Sequence, residues 1–152
     1  MTASILPVGA FVWCRFPLRE RHRDPGPNDH LHLVYVVDTS DVNAVTIYTT
    51  TTTWDPNIPV PLGVIVIPKQ QAAALGQKAF VLDARRIGIL PITLEWFPNL
   101  NSDGHGVVKI ASKPFQDNVA RIAREVASRH RENIELYGPG APELRPESTR
   151  KP

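Results

Sequence analysis

Residues 114–139, PFQDNVARIAREVASRHRENIELYGP, hold 24 consecutive residues without proline, in a chain with 15 prolines among its 152 residues. Four apolar residues recur within this stretch at steps of four, three and four: Phe115, Val119, Ile122 and Val126. That spacing places them on one face of an α-helix. Ser112 can cap the first turn, in which a proline is well tolerated. We predict a helix over residues 114–132, ended by residues 133–138.

The chain before this helix consists of short apolar segments separated by turn-forming residues such as 25–29, PGPND. Segments rich in Val, Ile, Thr and aromatic residues predict strands. We place strands at residues 10–16, 31–38, 44–50, 62–67, 79–82, 86–92 and 106–110, and a two-turn helix at 69–75. Many short strands followed by one helix predict a mainly β fold, a small antiparallel barrel covered by a C-terminal helix. We expect one domain over residues 1–137 and a flexible, Pro-rich tail over 138–152.

The overall composition is that of a folded globular chain, with 42% hydrophobic and 21% charged residues. A net charge of +2 permits a nucleic-acid partner without requiring one. Cys14 is the sole cysteine, which excludes an internal disulfide and a cysteine zinc site and favours the cytoplasm. No run approaches the roughly 18 apolar residues of a membrane span, and the start does not resemble a secretory signal.

Residues 48–54, YTTTTTW, are the first candidate for chemistry. Threonine is common in strands, so these side chains can simply form the solvent face of a strand that runs into a turn. Alternatively, the row of hydroxyls hydrogen-bonds phosphate oxygens, while Tyr48 and Trp54 offer faces on which bases stack.

Residues 17–30, PLRERHRDPGPNDH, are the second candidate, because Arg19, Arg21 and Arg23 fall within five positions. The segment can be a solvated connection between strands, since acidic neighbours offset part of its charge. It can equally be a basic lip that holds a polyanion, because guanidinium groups bind phosphate through two hydrogen bonds.

The five histidines do not have the spacing of a metal site, and we expect His30 and His32 to face opposite ways on one strand. His30 is placed where a loop enters a strand, a position from which an imidazole could act as acid or base. The sequence contains no GxSxG, P-loop, GxGxxG or HExxH motif. We therefore predict neither a metal nor a cofactor.

Three segments in this order carry a resemblance to a known family: 7–16 (PVGAFVWCRF), 47–51 (IYTTT) and 80–87 (FVLDARRI). With the intervening polar loop and the C-terminal helix, they resemble the MazF/PemK family of toxin endoribonucleases over about residues 7–126. The resemblance implies an SH3-like barrel of the MazF/CcdB type and a homodimer. It further implies metal-independent cleavage of single-stranded RNA and a cognate antitoxin, within a type II toxin–antitoxin system.

Carried over by position, the resemblance makes Thr50 the catalytic threonine, with Thr51 beside it. The arginine of the family's Arg-Pro pair falls at His30, so His30 would transfer the proton. The positive charge would then come from another basic residue, Arg15, Arg19, Arg21 or Arg23, none of which the sequence places at the scissile phosphate. The products would be a 2′,3′-cyclic phosphate and a 5′-hydroxyl.

The loss of the Arg-Pro pair also favours an alternative, since small barrels host many functions. In that alternative the chain is a catalytically inactive SH3-like barrel that serves as a binding or structural module, such as a phage or mobile-element protein.

Overall fold

The computed structural model describes residues 6–38, 40, 42–50 and 54–144. Its strands are β1 (Ala10–Cys14), β2 (His30–Val37), β3 (Asn43–Thr50), β4 (Val64–Ile67), β5 (Phe80–Pro91), β6 (Val107–Ile110) and β7 (Glu135–Tyr137). Its α-helices are α1 (Lys69–Ala73) and α2 (Lys113–Arg129). Short 3-10 turns lie at Arg19–Arg21, Asp103–Gly106 and Arg131–Asn133. No helix among the described residues has the length and apolar character needed to cross a membrane.

The strands form one sheet in the order β4-β5-β3-β2-β1-β6, in which every neighbouring pair is antiparallel. The strand β7 adds to β5 in parallel, with Arg86 opposite Glu135. The sheet curls into a half-barrel. The prediction of a mainly β fold with a C-terminal helix is thus confirmed.

Alternation along the strands divides the buried residues into two clusters. Phe11 and Leu33 belong to one cluster, whereas their neighbours Val12 and Val34 belong to the other, because successive strand residues face opposite sides. The first cluster also receives Val119 from α2, with Phe115 packed against it. The other contains Phe16, Leu90, Phe97 and Tyr137. The helix therefore covers one face of the sheet, as its apolar spacing predicts.

Two predicted elements differ from those observed. Residues 79–82 and 86–92 were predicted as separate strands, but β5 is continuous. The charged residues between them fit in the strand because the Asp83 carboxylate accepts hydrogen bonds from the backbone and guanidinium of Arg85. The strand β7 lies within residues 133–138, where only the end of the helix was predicted. Three strand residues show no periodicity that a sequence pattern could reveal.

The first part of the predicted tail contacts the basic loop. The amide of Gly138 donates to the carbonyl of His22 (2.8 Å), and Arg23 Nε donates to the carbonyl of Ala141 (2.8 Å). His22 Nε2 donates to the carbonyl of Pro142, also at 2.8 Å. Residues 138–144 and the loop that joins β1 to β2 therefore lie side by side. The rest of the predicted tail, 145–152, lies outside the described residues.

Candidate active site

A cavity of about 510 Å³ lies where the start of β2 meets the end of β3. This volume falls within the range of small-molecule sites, roughly 300–1,000 Å³. Its wall combines aromatic rings with cations and hydroxyls. Its lining includes Trp13, Phe16, Arg19, His30, His32, Tyr48, Thr49, Thr50, Lys78, Arg86 and Tyr137.

The site exists because side chains interrupt the pairing of β2 with β3. The pairing of β2 with β3 extends as far as Leu33 opposite Ile47. Beyond that point the amide of Thr49 donates to His32 Nδ1 (3.1 Å), and the Thr49 hydroxyl donates to the carbonyl of Leu31. These side-chain bonds take the place of ladder bonds at the strand ends.

His32 is a buried, neutral imidazole in the cavity wall. Its side chain is only 1% exposed, and its ring stacks on Phe16 with 4.9 Å between ring centroids. Burial, together with the nearby His30, lowers its pKa to about 3. Because Nδ1 accepts the Thr49 amide, the ring proton is assigned to Nε2. Within the described part of the chain, Nε2 has no hydrogen-bond partner.

A carboxylate in β7 organises the cations of the cavity. Glu135 is 5% exposed, and its Oε2 lies 3.0 Å from Arg19 Nη2. Its Oε1 lies 3.6 Å from Arg86 Nε and accepts a hydrogen bond of 2.8 Å from the Tyr137 hydroxyl. Burial and the bond to Glu135 raise the pKa of Tyr137, which keeps that hydroxyl protonated as a donor. Two guanidinium groups thus share one carboxylate.

Four of the residues predicted from the sequence line this one cavity: His30, Thr50, Arg19 and Tyr48. Thr51, the second predicted catalytic threonine, lies outside the described residues.

Other predicted substrate-binding residues are described but do not line the cavity. Arg15 pairs with Asp29 at 3.1 Å, and Arg21 with Asp24 at 3.3 Å. Arg23 lies 3.5 Å from Glu143, in the segment that follows β7. The indole of Trp54 donates to the carbonyl of Ile58 at 2.9 Å.

The expectation that His30 and His32 face opposite ways was wrong. Both residues line the cavity, with their ring centroids 6.4 Å apart. The physical reason is the strand period of two, which puts residues i and i+2 on the same face.

Sequence reasoning also missed Arg86, Glu135 and Tyr137. Arg86 could have been found from the sequence, because two adjacent arginines, Arg85 and Arg86, stand inside an apolar segment. No local signal marks Glu135, because its role depends on pairing between β7 and β5.

The described residues contain no group of three or more His, Cys, Asp or Glu side chains able to hold a metal ion. Cys14 is fully buried, and burial raises the pKa of its thiol, so it is not an activated nucleophile.

No family model, curated protein or solved structure matches the chain. Its function is therefore inferred from the geometry of the cavity and the chemistry of its lining.

Proposed function

We propose that the chain is an endoribonuclease of the MazF/PemK type that cleaves single-stranded RNA without a metal ion. One observation carries the proposal: His30 and Thr50, at the ends of two neighbouring strands, line the same cavity as Arg19 and Tyr48. An imidazole, a hydroxyl, a guanidinium and an aromatic face are the groups that transesterification of RNA needs.

The reaction uses the RNA's own 2′-hydroxyl as nucleophile. His30, which is exposed at the start of β2, accepts the 2′-hydroxyl proton as the 2′-oxygen bonds to phosphorus. The bond from phosphorus to the 5′-oxygen breaks, the departing oxygen takes up a proton from water, and His30 returns the 2′-hydroxyl proton to the solvent. Thr50 donates a hydrogen bond to a phosphate oxygen, and Tyr48 stacks a neighbouring base. The products are a 2′,3′-cyclic phosphate and a 5′-hydroxyl.

Incubation of the purified chain with mixed-sequence RNA oligonucleotides in EDTA tests this function. We expect cleavage that leaves cyclic phosphates, and a loss of about 100-fold or more in His30→Ala, the usual range for a proton-transfer group. His130→Ala is the matched control, since His130 lies at the end of α2 and does not line the cavity. Absence of cleavage, or full activity in a His30→Ala, Thr50→Ala double variant, would contradict the proposal.

The same proposal extends to the fold and the partners. An SH3-like barrel of the MazF/CcdB type would act in the cytoplasm as a homodimer and would be held inactive by a cognate antitoxin. An antitoxin with an acidic segment would suit a cavity lined by Arg19, Lys78 and Arg86. Sedimentation measures the oligomeric state. Slowed growth of a bacterial host that expresses the chain alone is the expected toxic effect.

One feature favours a second candidate, an inactive barrel that binds RNA or another partner. His30 and Leu31 occupy the position at which the resembled family has Arg-Pro. A binding module would retain oligonucleotides without cleaving them and would leave host growth unchanged.

A further inference from the structure

We infer that Arg86 is the phosphate-binding cation of the cavity, supplying the positive charge that position 30 lacks, and that Glu135 positions it. The inference deepens the proposed function, because it names the group that would meet the substrate's phosphate. It was not among the sequence predictions, which placed this charge in the β1–β2 loop or at Arg15.

A bulge in β5 contains the two adjacent arginines, Arg85 and Arg86, whose side chains have different partners. Ile87 of β5 lies opposite Ile47 of β3, whereas the next residue of β3, Tyr48, lies opposite Asp83. Residues 84–86 of β5 therefore have no partner on β3. Arg85 forms two hydrogen bonds to Asp83 from its guanidinium, at 2.9 and 3.0 Å. Asp83 thus provides acceptors for the guanidinium of Arg85. Arg85 does not line the cavity, whereas Arg86 does.

The contacts of Arg86 hold its side chain and leave its terminal amino groups available. The guanidinium carbon lies 5.0 Å from the centroid of the Tyr48 ring, and Nε lies 3.6 Å from Glu135 Oε1. Neither terminal amino group of Arg86 forms a hydrogen bond with another described residue. The two groups form a planar fork that matches two oxygens of a phosphate.

The charge around Arg86 also favours an anion. The carboxylate of Glu135 lies near both Arg19 and Arg86, and these three groups together carry one positive charge in a partly buried setting. Tyr48 lies two residues before Thr50 on β3, which places both side chains on the same face. The stacking of Arg86 on Tyr48 therefore brings the cation to the wall that carries the proposed catalytic threonine.

Binding of a fluorescein-labelled oligodeoxynucleotide, measured by anisotropy, tests the inference without cleavage, because DNA lacks the 2′-hydroxyl. We expect Arg86→Ala to weaken binding by about tenfold or more, the scale of a charged hydrogen bond. Arg86→Lys keeps the positive charge but loses the two terminal amino groups of the guanidinium. Its affinity for the oligonucleotide should therefore lie between those of the unaltered chain and Arg86→Ala. Arg121→Ala removes an arginine of α2 that does not line the cavity, and its affinity should equal that of the unaltered chain.

Circular dichroism of each variant establishes that it is folded. If the unaltered chain does not bind the oligonucleotide, or if folded Arg86→Ala or Arg86→Lys binds as tightly as Arg121→Ala, the inference is overturned. Binding that depends on Arg86 in a chain that does not cleave RNA supports the inference and overturns the nuclease activity. The two proposals can therefore fail separately.

Discussion

His32 shows how one buried side chain shapes the cavity. Burial keeps its ring neutral, and the amide of Thr49 determines which nitrogen carries the proton. A buried N–H without an acceptor destabilises a fold by about 1–3 kcal/mol.

The pKa of His32 predicts loss of stability in acid. Its pKa is about 3 in the folded chain, below the ordinary value of 6.5 expected after unfolding. Between these two pH values the unfolded chain binds more protons than the folded chain. The contribution of neutral His32 to the free energy of unfolding is therefore complete above pH 6.5 and declines as the pH falls towards 3. At about 1.4 kcal/mol per pH unit, we expect roughly 2–3 kcal/mol to be lost between pH 7 and pH 4.5.

Urea unfolding at both pH values checks this prediction. His32→Asn retains an acceptor near the Thr49 amide but cannot be protonated. Between pH 7 and pH 4.5 its free energy of unfolding should therefore fall by roughly 2–3 kcal/mol less than that of the unaltered chain. His130→Asn, at a half-buried position next to the end of α2, should behave like the unaltered chain. An equal decline in His32→Asn and the unaltered chain would show that His32 is not the group responsible.

The predicted residues that line the cavity have a local chemical signal in the sequence. His30, Thr50, Arg19 and Tyr48 stand in segments whose composition or family resemblance pointed to phosphate chemistry. Arg86 and Glu135 are 49 positions apart and come together only through the parallel pairing of β5 with β7. A pattern confined to one segment cannot reveal such a pair.

At the scale of elements, β7 depends on the glycine that follows it. Gly138 has φ +122°, and a Cβ there would overlap the carbonyl oxygen of Ile89 in β5. We expect Gly138→Ala to lower the free energy of unfolding by about 2 kcal/mol, through strain and overpacking. Gly140→Ala, where no heavy atom lies within 4 Å of the added Cβ, should change it by less than about 0.5 kcal/mol.

Urea unfolding of the two glycine variants under one condition measures this contrast. Equal free energies of unfolding for Gly138→Ala and Gly140→Ala would contradict the prediction, because the turn after β7 would then accommodate the added Cβ without destabilising the sheet.

Periodic elements could be predicted and pairing-dependent ones could not. The helix α2 follows from its apolar spacing and its cap, since Ser112 Oγ accepts the amide of Phe115 at 3.3 Å. The strands β1 to β3 follow from their β-branched and aromatic residues. By contrast, the continuity of β5 depends on the Asp83–Arg85 pair, and β7 is formed by its contact with β5.

Across the whole molecule, several basic side chains outside the cavity form ion pairs, and three basic side chains line it. Outside the cavity, arginine and lysine side chains pair with nearby carboxylates at Arg15–Asp29, Arg21–Asp24, Lys113–Asp117 and Arg121–Glu125. Arg19, Lys78 and Arg86 line the cavity, and Glu135 pairs with Arg19 and Arg86. A modest net charge of +2 is therefore compatible with a locally cationic site.

This distribution predicts a weak dependence of oligonucleotide binding on salt. Single strands release counterions so that log K falls with log salt concentration by about 0.7 for each phosphate neutralised. Three cations offset by one carboxylate neutralise about two phosphates, so we expect a slope of about −1.5. Anisotropy titrations across a series of NaCl concentrations measure it, and Arg86→Ala should reduce its magnitude by about 0.7. A slope steeper than about −4 would instead indicate binding along a broad basic surface, because the cavity does not hold enough cations to neutralise that many phosphates.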